Sequence, residues 1–307
     1  MRNYIKKITA TIALVVVAQS VAFAQQGYVT NDRDGSLPQV LFRVNVNTGA
    51  ATNLGNLVDT RTGANAVSEY EGLASIGSLL IGVSEYDPAL PNALDRANCA
   101  TISPTGRVGI IGPSGQGAGN VLFGTEAGSA YDSGSGFIYT SYGDDTTPGP
   151  RGELMRLYTN SPSTCEAVFV GDIRVGSATG APLQIDGLAI DNSPSPVMYG
   201  SDGRFTDALY TIDYANPVAD PNNAGNFVVI ATQACVLTAS NEDTGLAFDF
   251  ANSRIFILYE GNLPGTPAPR IQQITPGGTC TLGPVRTLST TITGDYEGLD
   301  IPIQTIR

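Results

Sequence analysis

The chain contains no histidine and no tryptophan, and its only lysines are Lys6 and Lys7. Each absence removes a chemistry. Without histidine there is no Ser-His-Asp or Cys-His nucleophile system and no imidazole metal ligand. Without lysine in the body of the chain there is no phosphate-loop lysine and no Schiff base. What is left is carboxylate, hydroxyl, tyrosine, arginine and backbone chemistry, and oxygen-rich sites of that kind suit calcium or magnesium better than zinc or copper. Cysteine is scarce too: Cys99, Cys165, Cys235 and Cys280 are all there are. Their wide spacings match no metal motif. In an exported chain they are expected to form disulfides, for which four cysteines allow three pairings, and buried free thiols are the alternative.

Apolar residues run on in one place only, and that run is short. "MRNYIKKITATIALVVVAQSVAFA" has a basic start in Arg2, Lys6 and Lys7, an apolar core from Ile8 to Ala18, and the small-x-small pattern Ala22-Phe23-Ala24. This is the layout of a secretory signal peptide, and a membrane span would need about 20 apolar residues. Residues 1–24 are therefore expected to be a cleaved signal and 25–307 a single exported domain, periplasmic or extracellular; an uncleaved anchor is the alternative. Three of the 16 basic residues leave with the signal, and none of the 28 acids, so the net charge of −12 becomes more negative still. Such a surface repels nucleic acid and anionic lipid and favours cations or cationic partners.

No window shows helical apolar periodicity. What recurs is a short unit of four strands. Aligned on the glycine that opens each unit, Gly72, Gly128, Gly187, Gly245 and Gly298 head the runs "GLAS", "GSAYD", "GLAID", "GLAFD" and "GLDIP". After a turn come "SLLIGVSEY", "GFIYTSYG", "PVMYGSDG" and "RIFILYEG", and two further β-branched or aromatic runs follow in each unit. Four antiparallel strands per repeat are the mark of a propeller blade. After Gly298 the chain holds one strand, and between Gln25 and Glu71 it holds three: "GYVTND", "VLFRVNVN" and "AATNLGNLV". Joined, these make one blade. The expected fold is all-β: a five-bladed β-propeller of four-stranded antiparallel blades, closed by a C-terminal inner strand that completes the N-terminal three-stranded blade and removes an open edge. A six-bladed ring with one degenerate unit and a β-sandwich are the alternatives.

"GLAIDNSPSPVMYGSDG" resembles the blades of gluconolactonase/regucalcin and NHL-type propellers, and "GYVTND…LFRVNVNTGAATNLG" resembles the YVTN-type repeat. "EGLA" also occurs in esterase-like phytase-domain propellers. The resemblance covers the chain from Gln25 onward as a repeat style and implies fold more than activity.

In such a propeller the residue before each aligned glycine lies at the channel mouth, and here these residues are Glu71, Ala127, Asp186, Thr244 and Glu297. Glu69, Glu126, Glu242, Asp243 and Asp295 add charge beside them, and the second-to-third-strand loops on the same face, "NDRDGSLPQ", "EYDPALPNALDR", "GDDTTPGPRGE", "SDGRFTDA" and "EGNLPGTPAPR", are acidic too. Carboxylates meeting at the narrow end of a ring repel one another unless a cation or protons neutralise them. Ca2+ held by Glu71, Asp186 and Glu297 is the expected metal site. Resemblance to the gluconolactonase group implies the same for Glu71 and Glu297, which match its metal-binding glutamate before glycine. The local alternative is that an acid accepts backbone N–H bonds where the chain enters the inner strand, and glycine permits crowding at the axis. Asp132, Asp191 and Asp249, at the other end of that strand, read as turn caps. "DRDGS" (32–36) has only a faint look of a calcium loop.

The function expected is a binding or interaction module acting through the loop-rich channel face, its partner a protein, a glycan or a small molecule. The alternative is a metal-dependent hydrolase of a lactone, ester or phosphoester, in which the cation polarises the carbonyl or phosphoryl oxygen and activates water. A glycosidase with Asp186 and Glu297 as its two carboxyls is a third reading.

Overall fold

A computed structural model describes residues 25–32, 38–87, 89–90, 92–115, 126–144, 151–161, 164–202, 206–237, 244–261, 268–275, 280–290, 295–303 and 306. The expected signal segment, Glu242, Asp243 and most of "DRDGS" lie outside these.

Strands dominate the described residues. The first meander contains β1 (Gln26–Asp32), β2 (Val40–Asn45) and β3 (Ala51–Asn56), followed by the two-residue β4 (Val58–Asp59). A second comprises β5 (Tyr70–Ile76), β6 (Leu79–Ser84), β7 (Asn98–Ile102) and β8 (Arg107–Gly115), with a single helical turn α1 (Ala93–Arg96) before β7. The third is β9 (Glu126–Asp132), β10 (Phe137–Asp144), β11 (Arg151–Ser161) and β12 (Thr164–Val175). A fourth is β13 (Gly187–Ile190), β14 (Met198–Asp202), β15 (Ala208–Ile212) and β17 (Phe227–Val236), with β16 (Val218–Ala219) folded back on β17. The fifth is β18 (Thr244–Asp249), β19 (Arg254–Tyr259), β20 (Arg270–Thr275) and β21 (Thr281–Thr287). The last strand, β22 (Asp295–Asp300), returns to the first meander and pairs antiparallel with β1, Tyr28 opposite Asp300 and Val29 opposite Leu299. The C-terminal strand thus lies beside "GYVTND", as the sequence implies.

The inner strand of each meander touches that of the next: β5 meets β9, then β13, β18 and β22 follow in turn, and β22 returns to β5. Sandwiched this way, inner strands are buried on both faces, and every residue of β13 and β18 is buried. That explains why they read as short continuous apolar runs without alternation. The outermost β21 is exposed along nearly its whole length.

Five hydrophobic clusters fill the spaces between adjacent meanders. Tyr28, Leu41, Tyr70 and Leu80 lie between the first and second, and Val83, Ile138 and Met155 between the second and third. Leu154, Ile185 and Val229 join the third to the fourth, Tyr199, Leu209 and Ile257 the fourth to the fifth. Val29, Phe42, Phe256 and Tyr296 close the fifth onto the first.

One feature departs from the separate four-stranded blades expected. The second, third and fourth meanders share a 14-stranded sheet through parallel pairing of their outer strands. β12 outruns β11, and its end, Asp172–Val175, pairs with Val228–Ala231 of β17, while Cys165 and Glu166 at its start pair with Ser114 and Gly115 of β8. Long outer strands thereby satisfy edge N–H and C=O groups that a shorter strand would leave to water. The disulfides are Cys99–Cys165, between the second and third meanders, and Cys235–Cys280, between the fourth and fifth.

Candidate cation site at the channel mouth

The aligned glycines stand where neighbouring inner strands approach most closely. A Cβ on Gly128 would lie 2.5 Å from the carbonyl oxygen of Asp186, and one on Gly187 2.7 Å from that of Thr244. On Gly298 it would lie 2.4 Å from the carbonyl of Glu71, and there φ is +22°. Each glycine thus admits the backbone of the next inner strand, and any side chain would push the hub apart.

Around this hub Glu71, on β5, and Asp186, just before β13, are 6% and 7% exposed. Both line a small central cavity of about 10 Å³ together with Gly128, Gly187, Gly245 and Gly298. The Asp186 N–H donates to the carbonyl of Ser201 (2.9 Å), and Gln184 Nε2 donates to Asp186 Oδ1 (3.4 Å). Thr244, in the equivalent place on β18, donates its hydroxyl to Ser201 Oγ (2.8 Å). Glu297, on β22, is half-buried and stands in a different group: its carboxylate, that of Asp295 at the start of β22, and that of the buried Glu260 offer oxygens within 4.8 Å of one another. Glu71 and Asp186 are not in that group.

Three oxygens mutually within 4.8 Å lie no more than about 2.8 Å from a common point, close to the ~2.3–2.6 Å of a Ca–O bond, so the group is of a size to hold one cation. Like charges this close favour whatever neutralises them, a cation, a proton or a neighbouring guanidinium. The donor set, carboxylate oxygen only, fits a hard divalent ion.

Sequence reasoning singled out Glu297, noted Asp295 as added charge and read the loop that begins at Glu260 as acidic, but did not name Glu260 as a ligand. A signal was present. An acid recurs at or just after the end of the second strand in every unit: Asp32, Glu85, Asp144, Asp202 and Glu260. On the far side of the hub the turn-cap reading holds. Asp132 accepts from Gly134 N (2.8 Å) and Ser135 Oγ (2.8 Å), Asp191 from Ser193 N (3.1 Å) and Val197 N (2.9 Å), and Asp249 from Asn252 N (3.2 Å).

No family model and no curated protein matches the chain. Among solved structures it is similar to the exo-β-1,3-galactanase of Phanerochaete chrysosporium, at 13% identity and a TM-score of 0.46, over 74% of this chain and 50% of that one. It is also similar to TolB of Acinetobacter baumannii (8% identity, TM-score 0.42, 88% and 56%). A third is an exo-1,5-α-L-arabinanase from a bovine ruminal metagenomic library (14% identity, TM-score 0.31, 86% and 99%). The chain spans about half the length of the first two. With TM-scores below one half, none of these likenesses bears on activity.

Proposed function

We propose that residues 25–307 form one exported five-bladed β-propeller that serves as a binding module, its loop face organised by a structural Ca2+ at the acidic channel mouth. The closed succession of inner strands and the five inter-meander clusters support five blades. Two disulfides suit an oxidising compartment. The observation that carries the metal reading is the convergence of Glu260, Asp295 and Glu297. Glu71 and Asp186, the other two expected ligands, line the small hub cavity and are not in that group.

The test is thermal unfolding with calcium and with chelator. A ligand that binds only the folded state stabilises it by about 2.7 kcal/mol at one hundred times its dissociation constant, so Tm rises with calcium. Glu260→Gln and Glu297→Gln are expected to abolish the rise; Glu71→Gln and Asp186→Asn abolish it only if those residues share the ion. Melting curves that superimpose with and without calcium would remove the site. A calcium response without turnover of lactones, aryl esters or phosphoesters supports the binding module. Turnover lost in the same variants would make the mouth a hydrolase centre instead.

A further inference from the structure

At the opposite end of β22 from Asp295 and Glu297 lies a much larger cavity, of about 700 Å³. It opens between β1 and β2 on one side and the β18–β19 turn on the other, and residues 301–303 and Ile306, after β22, line it as well. Small-molecule sites occupy roughly 300–1,000 Å³ and combine apolar walls with a few placed polar groups. Both parts are present. Tyr28 and Phe250 supply rings, and Ile301 and Ile306 supply aliphatic wall. Ile303, also on the wall, is a 63% exposed apolar side chain.

The charge of this cavity runs against that of the molecule. Acids outnumber bases 28 to 16 over the chain, yet among the described residues the cavity is lined by Arg43 and Arg254 against Asp249 alone. Asp249 is fully buried and already committed: it accepts from Asn252 Nδ2 (2.8 Å) and lies 3.4 Å from Arg254 Nη2. Arg254 also donates to Gln273 Oε1 (2.7 Å). Arg43, on β2, is exposed and forms no ion pair with any described residue. A guanidinium is a permanent cation with a planar fork of N–H donors that matches a carboxylate, and beside an apolar wall its attraction is screened less than in open water.

We propose that this cavity is a binding site for a small organic anion, an aromatic or short-chain carboxylate, whose charge meets Arg43 and whose apolar body lies against Tyr28, Phe250 and the Ile301–Ile303 tail. It is independent of the cation at the mouth, and the experiment keeps the two apart. The exported protein, held in chelator, is titrated at constant ionic strength with benzoate, benzamide and benzylammonium, three arenes of one shape and three charges, followed by calorimetry and thermal shift. Benzoate is expected to give a saturable rise in Tm, with the other two at least about tenfold weaker. Arg43→Gln and, separately, Ile303→Asp should each weaken benzoate by about tenfold or more while leaving the ligand-free melting curve in place, since both side chains are exposed. No saturation through the millimolar range, equal or stronger binding of benzamide or benzylammonium, or unchanged benzoate affinity in both variants would overturn the proposal.

Discussion

Asp300 ends β22 with its carboxyl turned inward. Its Oδ1 accepts from the N–H and hydroxyl of Ser75 on β5 (3.2 and 3.4 Å), and its Oδ2 is buried and meets no donor among the described residues. Burial pushes its pKa up to about 7, against the opposing pull of the Ser75 bonds. An unfolded aspartate titrates near 3.9. Below about pH 4 both states hold the proton and the group is neutral to stability. From there to about pH 7 the unfolded chain releases a proton that the folded one keeps, so stability falls as pH rises, and above pH 7 the loss is complete. About three pH units at 1.36 kcal/mol each set a ceiling of roughly 4 kcal/mol. Asp300→Asn is therefore expected to be more stable than the parent in urea at pH 8, with the gain shrinking toward zero at pH 4. An equal gain at both pH values would assign the effect to packing. Nothing in "GLDIPI" announces this role. Two residues after its glycine, Asp300 stands where the other inner strands carry Ala74, Ala130, Ala189 and Ala247, and Pro302 holds the place of the turn-capping Asp132, Asp191 and Asp249; only the docking of β22 on β5 buries the carboxyl.

Elements were legible where the signal was local. Runs such as "RIFILY" and "VLFRVN" are strands because β-branched and aromatic side chains fill both sides of a packed sheet, and both are strands here. The parallel joins of β12 with β17 and β8, and of β4 with β8, were not legible, because they depend on how far one strand overruns its own meander toward a distant one. Those joins make the outer rim uneven. The second, third and fourth meanders are tied edge to edge, whereas no outer-strand pairing joins the fourth to the fifth among the described residues. There the Cys235–Cys280 disulfide is the tie, closing a separation of 45 residues. Chain-entropy arguments give such a loop about 4 kcal/mol, of which real proteins realise 2–4. Replacing both cysteines by serine should lower stability by about 2–4 kcal/mol and raise hydrogen exchange in β17 and β21 while β8 and β12 stay protected. Uniform exchange across all four strands would show that the rim responds as one unit.

At the scale of the whole molecule, closure depends on the six residues of β22, Asp295–Asp300. β22 supplies the antiparallel partner of β1, places Tyr296 and Leu299 in the cluster between the first and fifth meanders, and touches the inner strands β5 and β18 on either side. It also carries Asp295 and Glu297, two of the three converging carboxylates. The proposed five-bladed ring and the proposed cation site therefore stand on the same strand. The closure was readable from the count of strands left over at each terminus, but Glu260 was not read as a ligand because it follows β19, far in sequence from Asp295 and Glu297, and meets them only once β22 has docked. Deleting residues 295–307 should expose the β1 edge and part of the first core at once, giving a chain that melts without cooperativity and self-associates through that edge. A synthetic peptide of residues 295–303 added in trans is then expected to restore a monomer, a cooperative melt and, with them, the calcium-dependent rise in Tm; a scrambled peptide should restore none. Recovery of the melt without the calcium response would keep the latch and discard the metal. A truncated chain that melts as sharply as the parent would mean that the ring does not need its final strand.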